Sequence, residues 1–502
     1  MLRYIFLLLL PAALISPAGL LSAQDYSEEI QYLDQYIRKT QQDWKVPGLA
    51  IAVVKDGEII LAKGYGKRNQ DADDPVDAET IFGIASTTKA MTAAAMGMLV
   101  DEGKVKWDDR VVDHWPEFQL YDPYITRELR VRDLFTHNAG LGNADFLWFD
   151  SDLTSEEILQ RMRFSKPAYP FRGGYTYQNI MYLAAGELIE RLSGKSWEFF
   201  VQERIFDPLN MYDTYPNQEE SKGEANRSTP HYKQNGKIRT IPDSDADAIA
   251  PAGAVWSSVA DMAVWTKFML DSARVGRQQL LKPQTYQELL KPQTIVPSAQ
   301  FYPTTRLTKP NWTTYGLGWF QHDYRGKKLN FHTGSLPGTT AILGFIPEER
   351  VGVYLLGNLD HAELRHALMY KVFDLFAFND RSRDWSTELK ALYDDLELTS
   401  RTQREKRMSA KMPDTSPSRS LAAYAGTYKD PYYGQVEVVF RDDHLELSIS
   451  KDMNAVLKHW HYDTFLAQWQ EDWRWESFVS FDLSPEGKVT EIAFDGRVLK
   501  RN

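Results

Sequence analysis

Ser86 stands three residues before Lys89 in the stretch Ser86-Thr87-Thr88-Lys89, at the head of an Ala- and Met-rich run. On a helix that spacing puts a hydroxyl and an amine on one face. At a helix N-terminus the unpaired N–H groups also favour an alkoxide or oxyanion. The chemistry this suggests is nucleophilic attack by Ser86 on a carbonyl, with Lys89 moving its proton. The same spacing also describes an N-capping Ser followed by a surface Lys. It recurs at Ser448 and Lys451, inside strand-like sequence where the two side chains could not meet in that way.

Two further groupings could complete a site. Tyr177-Gln178-Asn179 opens another helical stretch that runs to Leu192 and stops at Gly194. A Tyr beside a Lys can lose its proton below its usual pKa of about 10, because the cation favours phenolate. Such a Tyr serves as general base toward a Ser and as general acid toward a leaving group. Asn179 has the chemistry to hold Lys89 and to donate to a substrate carbonyl. An aromatic core residue followed by an N-capping Asn has the same pattern, and Tyr215-Pro216-Asn217 repeats it. His332-Thr333-Gly334-Ser335 ends a strand-like run. A Gly there admits a close approach to the backbone, and an N–H at a strand edge can complete an oxyanion hole. Taken alone, His332 reads as a satisfied structural histidine.

These residues need a scaffold, and the periodicities outline one. Residues 27–44 repeat apolar positions at helical spacing, and residues 49–54 and 58–63 read as strands joined by an Asp56-Gly57 hairpin. Residues 90–100 read as a buried helix, and a helical, loop-rich middle follows over about 105–290. Strands return at 328–332, 340–345 and 351–356, the last two joined through Pro347 to Arg350. A hairpin, then helices, then strands predicts an α/β sheet plus an all-α lobe, with the site between them.

A charged, helix-prone stretch then runs into Pro413, Ser416, Pro417 and Ser418. Beyond it the period is two: Val436, Val438 and Phe440, then Leu445, Leu447 and Ile449, then Phe465, Ala467 and Trp469. That alternation predicts a small all-β barrel. Its tryptophans, Trp460, Trp469, Trp473 and Trp475, would fill its core or line a pocket. The expected division is therefore 1–23, 24–383, 384–415 and 416–502: signal peptide, hydrolase domain, charged helical linker with a Pro/Ser end, and barrel.

The chain has 502 residues, with 58 Lys+Arg against 69 Asp+Glu for a net charge of −11. An acidic balance argues against nucleic acid as a partner. There is no Cys, which excludes disulfides, thiolate nucleophiles and a lipidated N-terminal Cys. Residues 1–23 combine a basic start, a short apolar run and small residues ending at Ala23, the pattern of a cleavable signal peptide. The expected location is secreted or periplasmic. No later segment is long and apolar enough to span a membrane.

The chain order Ser-x-x-Lys, Tyr-x-Asn and His-Thr-Gly resembles the penicillin-recognising serine hydrolases. It is most similar to the class C β-lactamase-like branch, with its DD-peptidases, D-aminopeptidases and esterases. Arg132-Asp133-Leu134-Phe135-Thr136-His137-Asn138-Ala139-Gly140-Leu141, Phe206-Asp207-Pro208-Leu209-Asn210-Met211 and Pro251-Ala252-Gly253-Ala254-Val255-Trp256-Ser257 carry the likeness outside the three motifs. Tyr424-Ala425-Gly426-Thr427-Tyr428 resembles the opening of the lipocalin-like domain some members append.

The resemblance implies that Ser86 is the nucleophile, that Lys89 shares its proton network and that Tyr177 is base and later acid. The N–H groups of Ser86 and Ser335 would form the oxyanion hole, and His137 and Gly140 would shape loops. The reaction implied is hydrolysis of an ester or amide (a D-amino-acid peptide, a β-lactam-like compound or a small ester) through an acyl-Ser86 intermediate. It calls for no metal or organic cofactor. An esterase or weak β-lactamase is the alternative within the fold; a protein that binds a peptide or cell-wall fragment without turnover is the alternative outside it. Relatives that act on penicillins or C-terminal carboxylates usually carry Lys where this chain has His332. A His is cationic only near or below a pKa of about 6.5, which points away from strong β-lactamase activity.

Overall fold

The computed structural model describes residues 25–149, 151–471, 474 and 476–502. The signal-peptide stretch, Trp473 and Trp475 lie outside the described residues. Ser27–Trp44 is helical, and the Asp56-Gly57 turn joins strands Gly48–Lys55 and Glu58–Gly66. Those strands belong to one eight-stranded antiparallel sheet. Its order is Thr294–Ile295, Thr313–Tyr315, Phe320–Tyr324, Lys327–Leu336, Thr339–Ile346, Val351–Gly357, Gly48–Lys55, Glu58–Gly66.

The near-continuous apolar run in Gly48–Lys55 is explained by burial of both sheet faces. Ala50, Ala52 and Val54 face one hydrophobic cluster, together with the helical lobe. Leu49, Ile51 and Val53 face a second, with helices Ser27–Trp44 and Leu364–Phe378. A one-residue register slip would exchange these two sets, so the alternation fixes the pairing.

The helix Thr88–Asp101 runs through the interior of the lobe, buried from Thr88 to Leu99. Its Ala and Gly content is what lets other elements close on every side of it. A Cβ on Gly97 would stand 2.9 Å from Thr285 Cγ2. The helix Trp385–Ser409 starts inside the second cluster: Trp385 is fully buried and its Nε1 donates to Asp374 Oδ2 at 2.7 Å. Its later turns are solvated.

Eight strands between Gly426 and Arg501 close into a barrel, the last pairing with the first through Tyr428 and Arg501. Closure leaves no sheet edge. Tyr424, Tyr428, Phe465, Phe481 and Trp469 fill a core of its own. Trp460 is buried against Phe478, with ring centroids 5.1 Å apart, and under Lys411. Among the described residues no helix is long and apolar enough to cross a membrane.

Candidate active site

Ser86 lies in a turn that the surrounding structure holds in place. Ala85, just before it, has φ 48°, a left-handed conformation that costs a non-glycine residue roughly 1–2 kcal/mol. Several bonds hold it there. Ile84 N donates to Val255 O at 2.9 Å, Thr87 Oγ1 donates to Ile84 O at 2.8 Å, and Thr87 Oγ1 lies 2.6 Å from the Tyr354 hydroxyl. A short 3-10 turn, Ala85–Thr87, then feeds the helix Thr88–Asp101.

One turn on, Lys89 is fully buried, with its ammonium among three oxygens. Nζ is 3.0 Å from Ser86 Oγ, 2.7 Å from Asn179 Oδ1 and 2.7 Å from Ala252 O. Burial pulls its pKa down to about 7, against the attraction of Asp145, which pulls it up. Asn179, the first residue of the helix Asn179–Ser193, also donates from Nδ2 to Asp145 Oδ1 at 2.9 Å. Asp145 is fixed in turn by Asn143 Nδ2 and Trp148 Nε1, each at 2.9 Å. A hydrogen-bonded row therefore links Ser86, Lys89, Asn179 and Asp145.

Tyr177 joins them, with Lys89 Nζ 4.9 Å from its ring centroid. Its hydroxyl is buried without a hydrogen-bond partner among the described residues, and its ring leans on His137, centroids 4.4 Å apart. The expectation that the lysine would favour phenolate is corrected here. Burial pushes the phenol well above its ordinary range, outweighing the neighbouring Ser86 hydroxyl, so Tyr177 is a neutral donor. His137, at φ 59°, accepts from Gln178 N at Nδ1 (3.0 Å) and so ties the loop to the Tyr177 turn.

The strand Lys327–Leu336 closes the other side. Thr333 and Ser335 line the cavity that contains Ser86, Tyr177 and Asn179; the space is about 1030 Å³. Thr333 Oγ1 is 2.5 Å from the Tyr302 hydroxyl. Gly334 has a packing reason of its own: a Cβ there would stand 2.2 Å from Ile84 O. Its missing side chain lets the strand lie on the Ser86 turn.

His332 is also not where a ligand-reading cation would be. It is buried outside the cavity lining, with Nε2 2.9 Å from the Tyr315 hydroxyl and Nδ1 2.7 Å from Thr333 O. Burial first, then the Lys89 charge, pushes its pKa down to about 3. A ring so shifted is neutral at ordinary pH.

Several residues here carried no signal in the sequence. Asp145 opens a three-residue 3-10 turn, Asp145–Leu147, Ala252 contributes only a carbonyl, and Tyr315 lies in a three-residue strand. Arg365 lies behind the strand, where its Nη1 donates to Gly334 O at 2.6 Å and Ser335 Oγ at 2.8 Å. Glu363 holds that guanidinium at 2.9 Å.

Comparison with known proteins adds three kinds of likeness. The Beta-lactamase family model matches residues 33–374, and a domain of unknown function matches residues 410–500. Unguisins hydrolase ungD of Aspergillus violaceofuscus is 30% identical over 436 residues, covering 79% of this chain and 74% of that one. Among solved structures, the octameric penicillin-binding protein homologue from Pyrococcus abyssi aligns with TM-score 0.60 and 22% identity, over 94% of this chain and all of that one. The D-amino acid amidase from Ochrobactrum anthropi SV3 aligns with TM-score 0.55 and 24% identity, over 65% of this chain and 91% of that one.

Proposed function

The chain belongs to the beta-lactamase family of serine hydrolases, and from that premise we propose that it is an exported enzyme cleaving an ester or amide bond through an acyl-Ser86 intermediate. The observation that carries this reading is the environment of Lys89. Two of its three partners, Asn179 Oδ1 and Ala252 O, can only accept hydrogen bonds. A neutral amine has two protons and one lone pair. It gives its protons to those two oxygens and turns the lone pair to the third partner, the Ser86 hydroxyl. With a pKa of about 7, much of Lys89 is neutral at ordinary pH.

The steps follow from that geometry. Lys89 takes the Ser86 proton as Oγ attacks the substrate carbonyl carbon, and the carbonyl electron pair moves onto oxygen. The N–H groups of Ser86 and Ser335 receive that oxyanion, fixed donors whose charge stabilisation needs no reorganisation. Lys89 then gives the proton to the departing alcohol or amine, with the neutral Tyr177 hydroxyl beside Ser86 as a further donor to the leaving atom. The tetrahedral carbon collapses to the acyl-Ser86 ester. Water then attacks that ester, giving one proton to Lys89, which returns it to Ser86 Oγ as the acid is released. Ser86, Lys89 and Tyr177 are the catalytic residues of this scheme. Asn179 holds Lys89 and faces the substrate, while Thr333 and Gly334 set the strand that carries Ser335.

The relatives named as a hydrolase of unguisins and as a D-amino acid amidase support amide or peptide substrates. A neutral, buried His332 argues against strong β-lactamase activity. The test is a panel of p-nitrophenyl esters, D-Ala and L-Ala p-nitroanilides, a D-Ala-D-Ala peptide and nitrocefin, run on wild type and Ser86→Ala. Turnover of an ester or amide that disappears in Ser86→Ala, together with labelling by a fluorophosphonate, is the expected result. Turnover retained by Ser86→Ala refutes the assignment.

A further inference from the structure

The cavity around Ser86 is built by both domains. Tyr433, Gln435, Met453 and Arg497 of the barrel form part of its wall. The seam is specific. Phe146, next in sequence to Asp145, meets Tyr432 edge-on with ring centroids 5.1 Å apart, and the Arg497 guanidinium stands 5.0 Å from its ring centroid. Arg161, from the hydrolase helix Ser155–Met162, reaches the same seam: a Cβ on Gly434 would stand 2.3 Å from its Nη1. Phe146 leads back through Asp145 and Asn179 to Lys89, so this wall lies on the Asn179 side of the nucleophile.

The charged groups lining the cavity divide sharply by what they already bond. Among the described residues its four carboxylates are engaged. Asp145 accepts from Asn143, Trp148 and Asn179, and Asp152 accepts from Lys451 N at 2.9 Å. Asp360 accepts from Gly338 N at 3.2 Å and pairs with His361 at 2.6 Å; Asp495 accepts from Ser477 Oγ at 2.9 Å. Among the described residues neither the Arg161 nor the Arg497 guanidinium has a carboxylate within ion-pair distance or a hydrogen-bond acceptor; Glu157 and Asp495 attract them only from further off. Arg497 is largely withdrawn from water, held over Phe146 and Phe494. A guanidinium that has lost hydration without gaining an acceptor is costly, and a ligand carboxylate repairs this with two parallel hydrogen bonds.

We propose that Arg161 and Arg497 form a carboxylate subsite of the Ser86 cavity, so that the substrate is an acidic ester or amide and the barrel is the wall that selects it. This rests on the reading of Ser86 as nucleophile. Lys89 is committed to Ser86, His361 is paired with Asp360 and His332 is buried away from the cavity, which among the described residues leaves the domain seam as the source of cationic recognition.

The test compares p-nitrophenyl half-esters of dicarboxylic acids, succinate to suberate, with their methyl esters, and 4-acetoxybenzoate with its methyl ester. These place the carboxylate on the acyl or the leaving side. Wild type should prefer the acid in at least one arm. Arg497→Gln and Arg161→Gln should each lose about tenfold or more in kcat/KM on that acid, the scale of one charge-assisted hydrogen bond, with the methyl ester unchanged. Equal activity on acids and methyl esters, or equal losses on both, overturns the subsite. If no ester is turned over and Ser86 is not labelled by a fluorophosphonate, the nucleophile reading fails. Calorimetric binding of suberate then decides the subsite: binding to wild type but not to the two variants supports it, and no difference overturns it.

Discussion

The His332 imidazole sits 2.9 Å from the Tyr315 hydroxyl, outside the lining of the cavity that holds Ser86. A histidine in that position is a neutral strut between two strands. Because its folded pKa, about 3, lies below its ordinary 6.5, protonation favours the unfolded chain. Its stabilising contribution is complete above pH 6.5 and is lost as the pH falls toward 3. Thermal unfolding followed from pH 7 to 4 should show a fall in Tm that is smaller in His332→Gln. The ratio of activities on acidic and neutral esters should stay flat from pH 8 to 5. A rise toward low pH would return His332 to the role of ligand-reading cation.

Lys89 sets the acid limb of the activity profile. Only its neutral form can accept the Ser86 proton, so kcat/KM should rise with pH through an apparent pKa of about 7. The Asp145 charge pulls that pKa up. Asp145→Asn keeps an acceptor for Asn179 but removes the charge, so the limb should move to lower pH. A pH–rate series on the two proteins measures it, and a limb that does not move separates Asp145 from the proton chemistry.

Gly334 is fixed by Ile84. A methyl group at Gly334 has nowhere to go, with Ile84 O at 2.2 Å and Ala85 Cβ at 3.1 Å from the Cβ position. Gly334→Ala should push the strand off the Ser86 turn and destabilise the protein by about 1–3 kcal/mol, the usual range for overpacking. Because the two halves of the proposed oxyanion hole separate, kcat should fall more than KM changes. Urea unfolding and steady-state kinetics read the two effects.

Arg365 and Glu363 are a buried pair behind that strand, 2.9 Å apart. Arg365→Met leaves the Glu363 carboxylate with His366 as its remaining side-chain partner among the described residues and removes the donor to Gly334 O, Ser335 Oγ and Ala341 O. The expected loss is about 3–5 kcal/mol, the scale for removing one partner of a buried ion pair. Denaturant unfolding of the single variant and of Arg365→Met/Glu363→Leu checks it, because removing both charges should recover part of the loss.

The barrel has its own closed strand ladder and its own apolar core, separate from the two clusters of the hydrolase domain. A chain ending at Met412 should unfold cooperatively and keep fluorophosphonate labelling of Ser86, while losing any preference for acidic substrates. Insoluble or unlabelled protein would show that the hydrolase domain depends on its cover.

What the sequence determined by itself is local and periodic. The hairpin at Asp56-Gly57 followed from a turn type, the barrel from two-residue alternation, and the juxtaposition of Ser86 and Lys89 from helical spacing, since these are set by residues near one another in the chain. It also placed Tyr177 and Asn179 at a helix mouth. Tertiary structure alone decided what those groups are chemically. Tyr177 remains a neutral phenol and Lys89 titrates near 7 because both are buried, and burial is a property of the whole packing. His332 is turned to Tyr315. Asp145 reaches Asn179 from a short 3-10 turn, and Arg497 reaches the cavity from the last strand of another domain. No spacing rule encodes such meetings, because they depend on where two distant backbones come to rest.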